Sequence, residues 1–164
     1  MALLDEQLVD EWLNRKRFFT IRGIKCGVDE MDLLALRVDV DKNEYWHVEV
    51  QVSYRPIGYV GGDTNARRRS DEEIKTGVEQ WVEKKFYSAR KIAKRNEICP
   101  NAQWSNVFVH GVLRDEKELE YMKQLGITLV PYKNVLTDLC DDNQLQSSSV
   151  ASNITDILKY LHEL

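Results

Sequence analysis

Residues 28–53 read VDEMDLLALRVDVDKNEYWHVEVQVS, two apolar segments joined by a short polar one. Apolar side chains dominate positions 31–40, and polar and apolar side chains alternate over positions 45–54. Both patterns predict β-strands, and the polar residues 41–44 between them predict a hairpin connection. The stretch therefore predicts two adjacent antiparallel strands at the centre of the fold.

The second of these strands has two chemically different faces, because successive side chains of a strand point to opposite sides. One face is apolar and suits a protein core. The other is polar and includes Glu49 and Gln51. A carboxylate in the middle of a sheet is costly to bury unless it is paired, hydrogen-bonded or bound to a cation. The pattern therefore predicts a partner for Glu49.

Asp32, near the start of the first strand, is the second candidate carboxylate. A hairpin loop at 41–44 places Asp32 opposite about position 53, near Gln51. A β-bulge or a longer loop would bring it closer to Glu49. Two carboxylates without cysteine or histidine partners form a hard oxygen site, which suits Mg²⁺ or Mn²⁺. The sequence thus predicts a metal site at this end of the sheet.

A purely structural interpretation of the same residues is the alternative. In that case Asp32 caps a turn, and Glu49 pairs with an arginine such as Arg37 or Arg55. The two interpretations differ in whether the carboxylates face each other.

The rest of the chain alternates helices and strands. Apolar periodicity, helix caps and glycine or proline breaks predict helices over 4–17, 70–99, 115–126 and 154–163, and strands over 18–25, 104–113 and 127–132. The resulting order, α-β-β-β-α-β-α-β-α, predicts an α/β fold with a mixed central sheet and helices on both faces. A chain of 164 residues is long enough for one such domain, here the whole of 1–164.

Composition excludes several classes of protein. The three cysteines are far apart and odd in number, which argues against a zinc site or a disulfide framework. No glycine-rich P-loop motif is present, so no nucleotide cofactor is expected. No apolar run reaches the roughly 20 residues that cross a bilayer. We therefore expect a cytoplasmic protein without a membrane partner.

Charge is segregated along the chain. The net charge is −4, but residues 51–99 hold 11 basic and 7 acidic side chains. Within 84–95 there are six basic residues and no acid. A basic region of this kind is typical of phosphate contacts that give sequence-independent affinity for nucleic acid. The candidate nucleic-acid-binding residues are Arg67, Arg68, Arg69, Lys84, Lys91, Lys94 and Arg95.

Element order, carboxylates and basic helix together resemble the PD-(D/E)XK nuclease superfamily, which has the restriction-endonuclease-like fold. EMDLLAL resembles the family's strand with a metal-binding aspartate, and VEVQV resembles its glutamate-x-lysine strand. Small Holliday-junction-resolvase-like nucleases offer the nearest comparison. The resemblance covers the αβββαβ core, about residues 1–113, and leaves 114–164 as a C-terminal αβα extension.

Carried over by position, the resemblance implies that Asp32 and Glu49 hold the metal, with the carbonyl of Val50 as a backbone ligand. Glu6 on the first helix is a candidate additional acid, and Asp10 and Glu11 compete with it for that role.

Gln51 stands where the family has a catalytic lysine. An amide can orient a water molecule, but it carries no charge and shuttles no proton at neutral pH. Lys25 or Lys75 could supply a displaced ammonium group.

The sequence as a whole indicates a metal-dependent DNA endonuclease. Asp32 and Glu49 would hold Mg²⁺ or Mn²⁺ while Gln51 orients the attacking water. The resemblance also implies a homodimer that cuts both strands. The alternative is a catalytically inactive nuclease-fold protein that binds nucleic acid or a protein partner.

Overall fold

The computed structural model describes residues 4–52, 59–60 and 67–141, together with 153, 154, 156, 157, 159 and 160. The elements over 4–141 are, in chain order, α1 (Leu4–Arg15), β1 (Phe19–Cys26), β2 (Asp29–Arg37), β3 (Glu44–Gln51), α2 (Asp71–Val82), a π-helical segment (Glu83–Tyr87), α3 (Ala89–Ile98), β4 (Trp104–His110), α4 (Lys117–Gln124), β5 (Thr128–Pro131) and α5 (Tyr132–Asp141).

A five-stranded mixed sheet lies at the centre of the fold, with the strands in the order β1-β2-β3-β4-β5. The first three strands pair antiparallel, and β3 with β4 and β4 with β5 pair parallel. The α/β class and the mixed sheet predicted from the sequence are confirmed. Because β3 is the middle strand, Glu49 lies in the interior of the sheet rather than at its edge.

Helices cover both faces of this sheet, as predicted. On one face α1 and α5 pack against the apolar side of β3 and β4, where Val48, Val107 and Val109 are completely buried. On the other face α2 and α4 pack over Phe108 of β4, and α3 lies over β2. The polar side of β3 belongs to this second face, so the side chain of Glu49 points toward the π-helical segment and α3.

The register of the central hairpin differs from the prediction. Arg37 pairs with Glu44 and Leu33 with Val48, so the loop spans positions 38–43 rather than 41–44. Residues 38–40 continue the apolar alternation of β2, but all three are exposed and belong to the loop. Extending the ladder by one position places Asp32 opposite Glu49, not opposite position 53.

The long helix predicted over 70–99 is interrupted. It begins as expected with a capping box, in which Ser70 and Glu73 bond each other's backbone N–H groups. Helix α2 then continues as the π-helical segment, and Ser88, which has an extended backbone, separates this segment from α3. The interruption turns the basic residues of 84–95 in different directions.

The C-terminal part departs from the prediction most clearly. Helix α5 begins directly after β5 and was not predicted, although its buried residues Tyr132, Val135 and Leu139 recur at helical spacing. The described residues between 153 and 160 are helical, in agreement with the predicted last helix, whose residues 161–163 lie outside the described part. Among the described residues, no helix is long and apolar enough to cross a membrane.

Candidate functional site

The hairpin register brings the two candidate carboxylates together. Asp32 and Glu49 occupy neighbouring positions on β2 and β3. The N–H of Val50 donates a hydrogen bond to Oδ2 of Asp32 at 2.7 Å, which fixes the Asp32 carboxylate beside β3. The convergence predicted for these residues is therefore present, and it needs no bulge.

The side chain of Glu49 is only 1% exposed, and three hydrogen-bonding side chains surround its carboxylate. Lys91 donates to its Oε1 at 2.6 Å and Lys85 donates to its Oε2 at 2.8 Å. Nε2 of His47 lies 3.0 Å from the same Oε1. The partners are lysines rather than Arg37, which pairs with Glu44 at 2.6 Å, while Arg55 lies outside the described residues.

These partners keep Glu49 ionised. Burial alone raises the pKa of Glu49, but the hydrogen bond from His47 and the positive charges of Lys85 and Lys91 outweigh it and lower the pKa to about 2. The same contacts raise the pKa of Lys85, because the negative charge of Glu49 outweighs the effect of burial. The interior of the sheet thus holds a fixed negative charge with two ammonium groups beside it.

Asp32 has the opposite electrostatic environment. Burial, and then the negative charge of Glu49, raise its pKa from 3.8 to about 7, against the hydrogen bond from Val50. Two carboxylates with pKa values this far apart are typical of sites that bind a cation or move a proton. A cation placed between them would favour the ionised form of both.

A second layer of hydrogen bonds orients His47. Nη1 of Arg95 lies 3.1 Å from Nδ1 of His47, and it also donates to Oδ1 of Asn106 at 3.0 Å. A guanidinium group only donates, so Nδ1 of His47 accepts and Nε2 carries the proton that is donated to Glu49. Burial lowers the pKa of His47, which favours this neutral form.

Where the helix is interrupted, the side chains of Lys91 and Arg95 donate hydrogen bonds to two backbone carbonyls. Near the π-helical segment, the carbonyl oxygen of Lys85 accepts from Lys91 Nζ at 2.9 Å, and that of Phe86 accepts from Arg95 Nη2 at 3.1 Å. These side chains satisfy carbonyls at the end of a helix, where α-helical partners are missing. The same two side chains then reach Glu49 and His47 respectively.

A cleft with a volume of about 330 Å³ opens beside Asp32, while Glu49 lies buried behind it and does not line it. It is lined by the acids Glu6, Asp29, Glu30 and Asp32, by Val28, and by Lys84, Lys85 and Lys91. Glu6, the candidate additional acid, therefore lines the same cleft as Asp32. Its two competitors are engaged elsewhere: Asp10 pairs with Arg22, and Glu11 pairs with Arg15.

The predicted basic face of 84–95 is only partly formed. Lys84 is exposed and Lys94 is half-buried beside Glu97, as expected of surface residues. Lys91 and Arg95 are 2% and 7% exposed and point into the interior, so their assignment to a DNA-facing surface was wrong. Periodicity assumed one continuous helix, and the interruption near Ser88 changes the direction of these two side chains.

The arginine cluster lies at the start of α2, at the other end of that helix. Arg68 is exposed, Arg67 pairs with Glu73, and the guanidinium of Arg69 lies 5.1 Å from the ring centroid of Tyr59. Arg114 stacks on the same ring at 5.3 Å. The arginines at this end of α2 thus lie next to the acidic first turn, Asp71, Glu72 and Glu73, and the group is separate from the carboxylate cleft.

Gln51 does not take part in the Glu49 network. It is exposed at the end of β3, where its carbonyl accepts from the N–H of Gly111 at 3.2 Å. The displaced ammonium proposed from Lys25 or Lys75 is not found there either: Lys25 pairs with Glu30, and Lys75 is exposed on α2. Lys85 was the residue missed, and the only indication in the sequence was the absence of acids over 84–95.

The residues that would hold a hard divalent cation are Asp32 and Glu49, whose side chains offer oxygen ligands. In the described part of the chain there is no cluster of three or more His, Cys, Asp or Glu side chains suited to a metal. Mg²⁺, however, often binds one or two carboxylates and fills its other positions with water and phosphate oxygens. The carbonyl of Gln51 accepts from Gly111, on the β4 side of β3, so the carbonyl of the preceding residue Val50 points to the other side, toward β2. This carbonyl would be a third oxygen ligand for the cation.

The chain matches no known protein family and no curated protein. Among solved structures it is similar to the crystal structure of AF1548, a protein of unknown function, with a TM-score of 0.47 and 16% sequence identity. The similarity covers 80% of this chain and 59% of that one.

Proposed function

We propose that the protein is a metal-dependent endonuclease that hydrolyses phosphodiester bonds in DNA, with the restriction-endonuclease-like fold. The observation that carries the proposal is the placement of Asp32 beside Glu49 on adjacent strands, where Asp32 lines a cleft together with Lys84, Lys85 and Lys91. Two carboxylates of unequal pKa with lysines beside them suit the handling of a phosphate group and its counter-cation.

In the proposed reaction, the carboxylates of Asp32 and Glu49 and the carbonyl of Val50 would hold a Mg²⁺ or Mn²⁺ ion. Such an ion, when bound, would polarise a phosphoryl oxygen and lower the pKa of a water molecule. In the hydrolysis, the oxygen of a water molecule forms a new bond to phosphorus, one P–O ester bond breaks, and a proton passes to the leaving alkoxide. The lysines that line the cleft neutralise charge on the phosphate.

DNA is the proposed substrate because of where the exposed basic residues lie. Lys84 stands at the cleft, and Arg67, Arg68 and Arg69 lie at the far end of α2. A 12-residue helix is about 18 Å long, so the two groups could contact phosphates several nucleotides apart. A homodimer would provide two such sites, as cleavage of both strands requires.

The test is nicking of supercoiled plasmid by the wild type and by Asp32→Asn and Glu49→Gln, with Mg²⁺, Mn²⁺ or EDTA. Asp39→Asn, an exposed aspartate in the hairpin loop, is the matched control. We expect metal-dependent nicking that survives in the control and is lost in the two site variants. Nicking that continues in EDTA, or in Asp32→Asn, would contradict the proposal.

One observation favours a second candidate function. Both carboxylate oxygens of Glu49 already accept from lysines, so the charge that would hold a metal is neutralised by the chain itself. A protein that kept the fold for binding nucleic acid without cutting it would show this arrangement. Salt-dependent DNA binding that is unchanged by EDTA, together with no cleavage of plasmid, junction or RNA substrates, would favour this alternative.

A further inference from the structure

We propose that Lys85 is a catalytic residue of this site and contacts the scissile phosphate, in the role that the resemblance gives to a lysine at position 51. The inference rests on the proposed endonuclease function and adds a residue that a strand motif does not reveal. Three independent features of the structure support it: the reach of Lys85, its difference from Lys91, and the backbone that carries it.

The first feature is reach. Nζ of Lys85 lies 2.8 Å from Oε2 of Glu49, and its side chain lines the same cleft as Asp32. If one cation bound both this carboxylate and a phosphate oxygen, the ammonium group of Lys85 would lie close to that phosphate oxygen as well. Gln51 is exposed at the end of β3 and has no charge to offer there.

The second feature is that Lys85 and Lys91 differ in their exposure and in the number of groups that they bond. Lys91 is 2% exposed and donates to both Glu49 and the carbonyl of Lys85, so it is fixed on both sides. The side chain of Lys85 is 30% exposed and therefore can turn from Glu49 toward a ligand in the cleft. We assign Lys91 to positioning and Lys85 to contact with the substrate.

The third feature is the backbone at Lys85. The residue lies within the π-helical segment Glu83–Tyr87, whose wider turn changes the direction of the side chains that follow α2. Short π-helical turns inside α-helices are frequent at functional sites, because they are less favourable than the regular helix. Here the turn brings Lys84 and Lys85 to the cleft and buries Phe86 completely beneath them.

In the hydrolysis step, Lys85 would donate a hydrogen bond to a non-bridging oxygen of the phosphate. As the attacking water forms its bond to phosphorus and the ester bond breaks, negative charge on these oxygens rises, and the ammonium group stabilises it. Lys85 remains protonated throughout, and the proton released by the water passes to the leaving alkoxide. The step needs no oxidant or further co-reactant.

The arrangement without a ligand has a second consequence. Lys85 holds Oε2 of Glu49, so a divalent cation and Lys85 compete for the same carboxylate oxygen. Removal of the ammonium group frees that oxygen for the cation. Loss of Lys85 is therefore expected to strengthen metal binding while it weakens cleavage, a combination that a merely structural residue would not produce.

The experiment compares Lys85→Met and Lys85→Arg with Lys133→Met, a control at an exposed lysine of α5, over the opposite face of the sheet. Plasmid nicking with Mg²⁺ is measured beside Mn²⁺ binding by calorimetry without DNA, and thermal unfolding verifies that each variant is folded. We expect Lys85→Met to lose about 100-fold or more in nicking rate, as typical for loss of one charge-stabilising donor. Its affinity for Mn²⁺ should rise several-fold.

The control variant and Lys85→Arg test whether the effect is specific to the ammonium group of Lys85. Lys133→Met should leave the nicking rate unchanged, because Lys133 lies over the face of the sheet opposite the cleft. Lys85→Arg should recover part of the activity. If the wild type nicks DNA and Lys85→Met nicks it equally well, or binds Mn²⁺ more weakly, the assignment of Lys85 is wrong while the endonuclease proposal stands. If the wild type neither binds Mn²⁺ nor cuts, both fall.

Discussion

At the scale of single residues, the structure answers why a strand at the centre of a sheet carries a carboxylate. Glu49 is buried, and three donors surround it: Lys85, Lys91 and His47. The need for a partner could be predicted from alternation in β3 alone. The identity of the two lysines could not, because they lie 36 and 42 residues away and depend on how the helix is interrupted.

Glu49→Gln tests this network through stability. The change leaves Lys91 buried with its charge uncompensated, and breaking a buried pair from one side costs about 3–5 kcal/mol. We expect a decrease of that order in the free energy of unfolding, measured with urea. Glu97→Gln, which removes an exposed partner of Lys94, should cost less than about 1 kcal/mol. Equal effects of the two substitutions would contradict the network as described.

Asp32 predicts a pH dependence of stability. Its pKa is about 7 in the folded protein and 3.8 as the ordinary value, so the folded state binds more protons between these pH values. Stability therefore falls as pH rises through this window. Allowing for partial solvent access, Asp32→Asn should reduce the loss between pH 5 and pH 8 by about 1–2 kcal/mol. Unfolding free energies at the two pH values test this, and Asp39→Asn should leave the loss unchanged.

At the scale of elements, the sequence predicted the order of helices and strands well where a periodic pattern was bounded by a clear break. The capping box at Ser70 marked the start of α2, and alternation marked β3. The end of β2 was misplaced because residues 38–40 continue an apolar pattern without being buried. Together with a one-residue error at the start of β3, that three-residue error moved the predicted partner of Asp32 from Glu49 to position 53.

The interrupted helix could not be predicted from apolar periodicity. A π-helical turn and one extended residue at Ser88 leave the spacing of apolar side chains almost unchanged. Long-range contacts favour the interruption, because the buried side chains of Lys91 and Arg95 bond Glu49 and His47 of β3 and the carbonyl oxygens of Lys85 and Phe86. Tertiary contacts of this kind override local propensity.

Arg95→Met tests whether these contacts hold the interruption in place. Arg95 bonds His47, Asn106 and the carbonyl of Phe86, and its loss leaves buried acceptors without donors. The expected decrease in stability is about 2–4 kcal/mol, because each buried unsatisfied group costs about 1–3 kcal/mol. Lys94→Met, one position earlier on the same helix, should change stability by less than about 0.5 kcal/mol. A nearly neutral Arg95→Met, measured by thermal unfolding, would show that the interruption does not depend on it.

At the scale of the whole molecule, the two faces of the sheet have different roles. The face covered by α1 and α5 holds the largest apolar core, while the face covered by α2 and α3 carries the carboxylates, the cleft and the basic residues. The segregated charge in the sequence indicated such an asymmetry. It did not show that two of the basic residues belong to the interior.

Lys84→Gln tests the asymmetry through DNA binding. Lys84 is exposed beside the cleft, and Lys133 is exposed on α5, over the opposite face. If the cleft face binds DNA, Lys84→Gln weakens binding and lowers the slope of log K against log salt by about 1, while Lys133→Gln changes neither. Fluorescence anisotropy with a duplex, in EDTA to prevent cleavage, provides the comparison. If the two substitutions weakened binding equally, the prediction that DNA binds to the cleft face would be wrong.

The central claim is that Asp32 and Glu49 together hold a divalent cation, and binding of Mn²⁺ tests it without any substrate. Electron paramagnetic resonance at pH 8, where Asp32 is mostly ionised, counts the free ion as protein is added. The account predicts that the wild type and Asp39→Asn bind Mn²⁺ alike, and that Asp32→Asn binds it at least about tenfold more weakly, a loss of about 1.4 kcal/mol. Binding of equal strength by Asp32→Asn and the wild type, or no binding by either, would contradict it.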